Sequence, residues 1–447
     1  MAARAVLAVV LLVVAEVAEA QPWRVAILDF ANTTKDPGLE WLGPAVAETL
    51  TTKLHAVRAL SLVERTRLYK VLEEQKLHLS DLVDPSQAVK VGKLAGAQQV
   101  VLGAYTAFGP SVRFTARFVE VETGTIMNTS QVDGDLDRQN PERLWSALDR
   151  LAQATIDSLN TRVAIVQGLP QPVPAPAPQR IEPTREERTQ LAKAPPTSLS
   201  ALEAYGRGMA ANLRNAWRDA LRSFEQASRL DPNYAEAWRG QGALLKFFGH
   251  DPEALSALER ALQLFQQQGN EREAAITLRE IGNAYYARKP GEALAYYERS
   301  RVLSTKVGDE AGLAETFNRM GMALDSQGRP REALSYYENS RRLSEKVGDG
   351  PLLARSLSNI GTIFAAQGRD AEALSHFERS FRLSEKTGDD LGLILALLNL
   401  GGVQSKQGQP AMAVSYYEKA FEIAERLELP DREWIQERRD RARQQAR

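Results

Sequence analysis

Small and large apolar residues recur at a fixed interval through the C-terminal half of the chain. Glycine marks one position of the pattern, at Gly208, Gly242, Gly282, Gly321, Gly361 and Gly401. About twelve residues after each glycine comes an alanine: Ala220, Ala254, Ala293, Ala333, Ala373 and Ala413. Four positions further lies a larger apolar residue: Phe224, Leu258, Tyr297, Tyr337, Phe377 and Tyr417. This period predicts paired helices that stack into a solenoid, because each pair buries its apolar face only against its neighbours.

The same pattern indicates how many repeats there are and of which kind. Six copies predict six helical hairpins over residues 199–435. A small residue suits the point where two helices cross closely, and a large side chain fills the space beside the crossing. This arrangement resembles the tetratricopeptide repeat (TPR). From the second repeat onward the spacing stretches to about forty residues, which resembles the repeats of kinesin light chain. The predicted fold of this region is therefore an all-α TPR solenoid.

The resemblance implies that the first helix of every hairpin lines a concave inner wall that binds a protein or peptide partner. An asparagine amide can donate to and accept from a peptide backbone, and an arginine can hold a carboxylate through two parallel hydrogen bonds. The residues predicted to form this partner-binding groove are Arg239, Lys246, Arg279, Asn283, Tyr286, Asn318, Arg355, Asn359 and Asn399.

Part of this set is similar to the carboxylate clamp of TPR domains that bind acidic C-termini. Arg279 with Asn283, followed by Arg355, carries the similarity. Arg319 and Asn359 depart from it, because the clamp has asparagine at the first of these positions and a basic residue at the second. The alternative is that the polar residues only solvate a helix face, and the sequence leaves both interpretations open.

The N-terminal part of the chain has a different pattern, in which short β-branched runs alternate with helical stretches. Residues 25–28 read VAIL, a short apolar run that predicts a buried strand. In residues 111–120 every second residue is apolar, which predicts a strand with one buried face, paired in a hairpin that turns at Gly109. Together these patterns predict an α/β domain, a mixed sheet with flanking helices, over residues 21–165.

Several motifs of this domain resemble the CsgG/TolB-N-like domain of bacterial envelope proteins. They are the run VAILDF at 25–30, the pair Glu64-Arg65, the block VGKLAGAQQVVLG at 91–103 and the stretch VETG at 121–124. The resemblance implies a role in the bacterial envelope rather than one particular activity. The curli secretion channel subunit of this family has a lipidated cysteine and long pore-forming hairpins. This chain has no cysteine and only a short predicted turn, so the sequence argues against a pore.

Three further segments complete the predicted domain organisation. Residues 1–20 contain Arg4, an apolar run and a small-x-small motif ending at Ala20, which predicts a cleaved signal peptide. Residues 166–198 are rich in proline and predict an extended, semi-rigid linker. Residues 436–447 are predicted as an arginine-rich C-terminal tail, interpreted as the solvated face of a capping helix. No later stretch is apolar enough for a transmembrane helix, so export to the periplasm, with or without association to the outer membrane, is expected.

Composition and motifs argue against several classes of function. The net charge of −1 offers no basis for nucleic-acid binding, and the absence of cysteine excludes thiolate metal sites. The four histidines are far apart, and no phosphate-binding or hydrolase motif occurs. Asp29 and Glu64 end predicted strands, and we interpret Asp29 as a cap for the next loop and Glu64 as an arginine partner. We therefore expect no catalytic residues, no cofactor and no metal.

The prediction from sequence is an exported, non-enzymatic scaffold or adaptor of the bacterial envelope. Its solenoid would bind protein partners, and its α/β domain would offer a second docking surface. The alternative is a ring-forming subunit of a secretion, transport or assembly complex, with self-association through the α/β domain. A third hypothesis, a ligand-sensing or hydrolytic α/β domain regulated by the repeats, has the least support.

Overall fold

The computed structural model describes most of the chain. The described residues are 23–57, 59–63, 65–74, 85–166, 169–174, 181–191, 198–214, 216–427 and 432–446. The predicted signal peptide and Glu64 lie outside them. Within the described residues, no helix has the length and apolar character needed to cross a membrane.

A mixed sheet forms the centre of the N-terminal domain. Its strands are β1 (Trp23–Ile27), β2 (Ala31–Asn32), β3 (Leu60–Leu62), β4 (Gln99–Phe108), β5 (Ser111–Glu120) and β6 (Ile126–Asp135). The order is β3-β1-β4-β5-β6, with the short β2 also paired to β4. Strand β1 runs parallel to β3 and β4, whereas β4, β5 and β6 are antiparallel. The predicted hairpin turns at Gly109, whose φ of 61° favours glycine.

Helices cover both faces of this sheet. They are α1 (Leu42–Leu54), α2 (Arg65–Glu74), α3 (Pro85–Ala95) and α4 (Glu142–Leu159). Alternation along β1 sends Val25 and Ile27 into a core with α1 and α4. Ala26 and Leu28 belong to a second core with α2 and α3. The prediction of an α/β domain with a mixed sheet and flanking helices is confirmed.

The segment between the domains is more structured than the extended linker predicted for residues 166–198. Strands β7 (Thr161–Val166) and β8 (Leu169–Pro174) form an antiparallel hairpin, and helix α5 (Arg185–Leu191) follows. In β8 the prolines occupy every second position, a spacing that an edge strand tolerates because proline has no N–H to donate. Ile181, between β8 and α5, is buried in the core of the N-terminal domain.

Paired helices form the rest of the chain. They are α6 (Leu199–Leu213), α7 (Trp217–Leu230), α8 (Ala235–Phe247), α9 (Asp251–Gln267), α10 (Glu271–Tyr286), α11 (Pro290–Lys306), α12 (Glu310–Ser326), α13 (Pro330–Lys346), α14 (Gly350–Ala366), α15 (Asp370–Thr387), α16 (Asp390–Lys406) and α17 (Pro410–Arg426). Each repeat glycine faces the predicted large side chain: a Cβ on Gly321 would lie 2.6 Å from Tyr337 Cε1. The predicted solenoid fold is confirmed.

Buried serine hydroxyls add directional contacts to the apolar stacking. Ser300 Oγ donates to the Ala275 carbonyl at 2.8 Å, and Ser380 Oγ donates to the Ala354 carbonyl at 2.8 Å. The hydroxyl of Ser340 lies 2.8 Å from that of Ser356 in the next hairpin. Because these serines are forty residues apart, the same contact position recurs in successive repeats.

The C-terminal segment is one helix, α18 (Arg432–Ala446), rather than a tail that begins at residue 436. Ile435 and Ala442 are buried against the last hairpin. Between them, Arg438 and Arg441 are exposed, whereas Arg439 is half-buried and its guanidinium lies over the Phe421 ring of α17. Helix α18 therefore caps the solenoid, in agreement with the interpretation of the arginine-rich stretch as a solvated helix face.

The α/β domain and the first hairpin share one apolar core. Tyr205 and Phe224 of the solenoid belong to the same cluster of buried residues as α1 and α4. Gly206 of α6 lies against α1 so closely that a Cβ there would be 2.3 Å from the Trp41 carbonyl oxygen. The two domains are thus held in contact and are not separated by a free spacer.

Candidate functional site: the inner wall of the solenoid

The first helices of the hairpins, α6, α8, α10, α12, α14 and α16, form a surface that we call the inner wall. Equivalent positions on it follow the forty-residue period. Six residues before the repeat glycine stand Glu315, Arg355 and Leu395, and two residues before it stand Arg319, Asn359 and Asn399. Side chains of neighbouring first helices touch directly, since Asn359 Nδ2 donates to Asn318 Oδ1 at 3.0 Å. Equivalent positions of the wall therefore carry acidic, basic, polar or apolar side chains in successive repeats, along one continuous surface.

The α/β domain docks on the N-terminal end of the inner wall through charged side chains. Arg239 on α8 donates to the buried carboxylate of Glu273 on α10, and it lies 3.6 Å from Glu48 on α1. His55, at the C-terminal end of α1, contacts the other oxygen of Glu273. Arg239, one of the predicted groove residues, is thus occupied by carboxylates from both domains.

The charged contacts continue into the sheet of the α/β domain. Arg65 Nε lies 3.2 Å from Glu48, and Arg65 Nη2 donates to Asp29 at the end of β1. Tyr69 also donates to Asp29, at 3.0 Å. Asp29 therefore pairs with Arg65 and Tyr69, which differs from the loop cap expected from the sequence. We call Asp29, Glu48, His55, Arg65, Arg239 and Glu273 the docking network.

The surroundings of the docking network shift the pKa values of Glu273 and Asp29 in opposite directions. Burial would raise the pKa of Glu273, but Arg239 and His55 outweigh it and lower that pKa to about 2. Burial raises the pKa of Asp29, against the pull of Arg65. The carboxylate of Glu273 is 1% exposed and ionised at neutral pH, so its charge depends on Arg239 for compensation, beside the hydrogen bond with His55.

Two further arginines join the sheet edge to the solenoid. Arg272 of α10 donates to the Leu60 carbonyl of β3 at 3.2 Å. Arg24 of β1 donates to the Val347 carbonyl at 2.9 Å and lies 3.6 Å from Asp349, in the loop before α14. The α/β domain thus contacts several repeats, and the start of α10 and the loop before α14 are among its points of contact.

Beyond these contacts the inner wall carries what we call the arginine cluster: Arg279, Arg319 and Arg355 around Glu315. Arg319 Nη2 lies 2.9 Å from Glu315 Oε1, and Arg355 Nη1 lies 3.9 Å from the same oxygen. Burial would raise the pKa of Glu315, but the three arginines outweigh it and lower the pKa. Three cations thus surround one carboxylate.

The other predicted groove residues have different surroundings. Arg279 is buried and donates to the Gly312 carbonyl at 3.5 Å, and Asn318 is fully buried. Asn283 accepts a hydrogen bond of 2.8 Å from Tyr297, which fixes it to the second helix of its own hairpin. These three residues hold the wall together. The remaining members lie half-buried on its surface: Lys246, Tyr286, Arg355, Asn359 and Asn399.

The predicted set lacked two residues that the structure brings into the site. Glu315 and Arg319 stand forty residues before Arg355 and Asn359, which were predicted. The repeat period itself would have found both, if every predicted position had been carried through all repeats. The carboxylate of Glu315 was the less expected of the two, because the prediction looked for groups that hold a carboxylate.

The C-terminal end of the wall is apolar. Leu391 and Leu395 lie one turn apart on α16 and are 52% and 40% exposed. Leu395 occupies the position that Glu315 and Arg355 hold in the two preceding repeats. Among the residues that the structure describes, no group of three histidine, aspartate or glutamate side chains could hold a metal ion.

Comparisons with protein families agree with this architecture. The family described as "Curli production assembly/transport component CsgG" matches residues 9–136. The family described as "Tetratricopeptide repeat" matches residues 273–346, 312–386 and 352–426. The predicted order, a CsgG-like domain followed by tetratricopeptide repeats, is confirmed. No curated protein sequence matches the chain.

Several solved structures are similar to part of the chain. The APC/C hetero-tetramer Cut9-Hcn1 is 19% identical, with a TM-score of 0.44, over 54% of this chain and 43% of that chain. A Rap protein complexed with a competence and sporulation factor is 14% identical, with a TM-score of 0.41, over 55% of this chain and 75% of that one. BtubC (BKLC) from P. vanneervenii is 17% identical, with a TM-score of 0.41, over 48% and 91%. The chain thus spans less than half the length of the first of these proteins.

Proposed function

We propose that this protein is an exported, non-catalytic adaptor of the bacterial envelope that binds a protein partner on the inner wall of its solenoid. The observation that carries the proposal is the arginine cluster, where the side chains of Arg319 and Arg355 are 29% and 41% exposed. Charged side chains that remain accessible on a concave repeat surface are suited to recognise another protein. The partner-binding residues on the accessible surface are Lys246, Tyr286, Arg355, Asn359 and Asn399, joined by Arg319.

The α/β domain serves as the second docking surface of this adaptor. The CsgG match supports a place in the envelope, and the signal peptide predicted at residues 1–20 supports export to the periplasm or to the outer membrane. The docking network supports a fixed geometry between the two surfaces, because it joins Glu48 and His55 of one domain to Arg239 and Glu273 of the other.

A crosslinked pull-down from periplasmic and outer-membrane extracts tests the proposal. The bait is the chain from residue 21 onward, beside an Arg355→Ala/Asn359→Ala variant. The matched control is Arg329→Ala/Glu332→Ala, which removes an exposed ion pair at the start of α13, a second helix that lies outside the inner wall. We expect a partner that the unmodified chain and the control capture and that the wall variant loses. Equal capture by all baits would refute binding on the inner wall.

The second candidate is a ring-forming subunit of a secretion, transport or assembly complex. The match to a curli assembly/transport component over residues 9–136 favours it. Light scattering on the purified chain, with and without detergent, distinguishes the candidates. The adaptor is expected to keep the mass of one chain, whereas a ring subunit would show a defined higher mass that is a whole multiple of it.

A further inference from the structure

A cavity of about 310 Å³ lies at the C-terminal end of the solenoid, where the last turns of α16 meet α17 and α18. We call it the cap cavity. Lys406 of α16, Tyr417 of α17 and Arg441 of α18 are among the residues that line it. Small-molecule sites in proteins commonly measure about 300–1,000 Å³. The cap cavity can therefore hold a small molecule or one charged group of a larger ligand.

A glycine opens this cavity. In the second repeat, Asn283 directly follows the repeat glycine and accepts a hydrogen bond of 2.8 Å from Tyr297. Gly402 directly follows the repeat glycine of the last hairpin, so no side chain stands at the corresponding position there. Among the described residues, the only atom within 4 Å of a Cβ on Gly402 would be Tyr417 Oη, at 3.9 Å. The space beside this hydroxyl is thus open.

The tyrosine that reaches this space is almost entirely buried. Tyr417 is 3% exposed, because its ring fills the core position of the last hairpin. Within the part of the chain that the structure describes, its hydroxyl has no hydrogen-bond partner. Polar groups that are so enclosed are generally hydrogen-bonded. The hydroxyl of Tyr417 is therefore placed to donate to an oxygen of a ligand in the cap cavity.

Positive charges line the same cavity. They belong to Lys406, Arg438 and Arg441, and Glu437 is the one acid among the described residues of the lining. Lys406 Nζ lies 2.9 Å from Asp370 Oδ1. Arg438 and Arg441 have no ion pair with any described residue. The cavity therefore favours an anionic ligand.

The hydrogen-bond donors reach the cavity from three helices. Lys406 comes from α16, Tyr417 from α17 and the two arginines from α18. The guanidinium of Arg438 lies over the Trp434 ring, 4.2 Å from its centroid, which orients it and leaves its N–H groups available. A carboxylate has two oxygens in one plane, whereas a phosphate monoester has three acceptor oxygens around phosphorus. Donors from several directions suit the phosphate better.

We propose that the cap cavity binds a ligand through a phosphate monoester group in its dianionic form. Arg438 and Arg441 pair with the negative charge, while Lys406 and Tyr417 donate to the remaining oxygens. A phosphorylated small molecule and the headgroup of phosphatidic acid both carry this group. The site goes beyond the proposed function, because it does not depend on a partner at the inner wall.

Isothermal titration calorimetry on the chain from residue 21 onward tests the inference. The probe is glycerol 3-phosphate, and glycerol and the monoanionic dimethyl phosphate are the controls. We expect the probe to bind more tightly at pH 7.5 than at pH 5.5, because a phosphate monoester loses its second proton near pH 6 while arginine stays charged. Neither control should show this gain.

Sedimentation with vesicles distinguishes the two sources of the phosphate group. The vesicles are phosphatidylcholine with or without phosphatidic acid. Binding of glycerol 3-phosphate would identify a soluble ligand. Binding only to the vesicles with phosphatidic acid, lost in the cavity variants, would identify the lipid headgroup.

Variants assign the binding to the cavity. Gly402→Asn places an amide beside Tyr417, as in the second repeat, and should weaken binding about tenfold or more while the helix gains propensity. Arg441→Gln should weaken it by a similar factor. Glu437→Gln removes the opposing charge and should tighten it. Arg432→Gln, an exposed position of α18 outside the cavity, is the matched control and should bind as the unmodified chain does.

Circular dichroism establishes that each variant is folded. If Gly402→Asn is not, Tyr417→Phe replaces it, since Phe377 holds the corresponding position in another repeat. Removal of the hydroxyl should weaken binding about three- to tenfold.

Three outcomes would overturn the inference. They are no binding of either glycerol 3-phosphate or the vesicles with phosphatidic acid, unchanged affinity in the folded cavity variants, and an equal loss in Arg432→Gln and Arg441→Gln. The last of these would show a general attraction to the arginine-rich helix rather than a site.

Discussion

Two adjacent glycines of α16 have opposite surroundings, although both stand in the same helix. A Cβ on Gly401 would lie 2.6 Å from Tyr417 Cε1, whereas the nearest atom to a Cβ on Gly402 is Tyr417 Oη at 3.9 Å. Because the ring of Tyr417 is buried, it has little room to move. Gly401 is thus required by packing, and Gly402 is not.

Alanine substitutions at these two positions should change stability in opposite directions. Gly401→Ala should lower the free energy of unfolding by about 1–3 kcal/mol, because the added methyl group overpacks the crossing of α16 and α17. Gly402→Ala should raise it by up to about 1 kcal/mol, because alanine favours the helix more than glycine does. Urea unfolding followed by circular dichroism measures both. A gain at Gly401 equal to that at Gly402 would contradict the role given to the ring.

A half-buried carboxyl group at the start of α8, that of Glu236, predicts a dependence of stability on pH. Burial raises the pKa of Glu236 to about 7, from an ordinary value of 4.5, and Glu273 and Glu48 add to the rise. The folded chain therefore binds a proton between about pH 4.5 and 7 that the unfolded chain has released. Stability from this group is fully present below the unfolded pKa and is lost as the pH rises through the folded pKa.

Glu236→Gln should flatten this part of the pH profile. Gln cannot ionise, so the variant should gain stability over the unmodified chain at about pH 8 and lose that advantage at about pH 4. Urea midpoints across this range measure the difference. Glu253→Gln, at an exposed position in the first turn of α9, is the matched control and should follow the unmodified chain. If the stability of both variants depended on pH in the same way as that of the unmodified chain, Glu236 would not be the source of the pH dependence.

At the scale of whole elements, the sequence predicted most of what the structure shows. The spacing of Gly321, Ala333 and Tyr337 identifies a hairpin because these residues meet where its two helices cross. The alternation along residues 111–120 identified β5 for a similar reason, since each side chain faces the sheet side that its parity dictates. A pattern that arises from contacts within one hairpin, or from alternation along one strand, can therefore be recognised in the sequence.

The docking network could not be predicted in this way. Arg239 has the period of a groove residue and pairs with Glu273 one repeat further along the solenoid, but its other partner, Glu48, lies in the α/β domain and follows no shared pattern. Arg239 was therefore expected to face a partner protein. Only the packing of α1 against α6 brings Glu48 to it, and no periodicity encodes a contact between two different folds.

The docking network should contribute strongly and cooperatively to stability. Arg239→Met leaves Glu273 buried without its main cation, so we expect a loss of about 3–5 kcal/mol in the free energy of unfolding. Arg239→Met/Glu273→Met removes both charges and should be more stable than the single variant, because apolar groups can replace a buried ion pair. Guanidinium unfolding of the two single variants and the double variant gives the coupling free energy.

An exposed ion pair provides the comparison for this cycle. Arg329→Ala, which removes the partner of Glu332, should change stability by less than about 1 kcal/mol. If Arg239→Met costs no more than this control, or if the two losses in the cycle simply add, then the buried charges do not act as a coupled network.

At the scale of the whole molecule, the two domains behave as parts of one structure. The sequence suggested a proline-rich spacer because alternating prolines favour an extended chain, and it left the contact between the domains open. The structure instead places Ile181 in the α/β core, and Lys53 of α1 donates to the Leu191 carbonyl of α5 at 2.9 Å. The segment between the domains thus packs on the α/β domain and brings α6 against α1.

The close approach of α6 to α1 can be broken at one residue. A methyl group at Gly206 would lie 2.3 Å from the Trp41 carbonyl oxygen and 2.9 Å from Ala45 Cβ, and a backbone atom cannot rotate away. Gly206→Ala should therefore push the domains apart while each keeps its own fold. Gly208→Ala, two residues on, is the matched control, because a methyl group there meets only the Phe224 ring of the same hairpin.

Hydrogen exchange read by mass spectrometry separates the two effects. In Gly206→Ala we expect faster exchange of α1 and of the start of α10, where Arg272 and Glu273 meet the α/β domain, with little change in α14 to α17. In Gly208→Ala the faster exchange should be confined to α6 and α7. If Gly206→Ala accelerated exchange only in α6 and α7, the charged contacts alone would be sufficient to hold the two domains together. Faster exchange of α1 would instead mean that the two domains keep their fixed geometry only while α6 lies against α1.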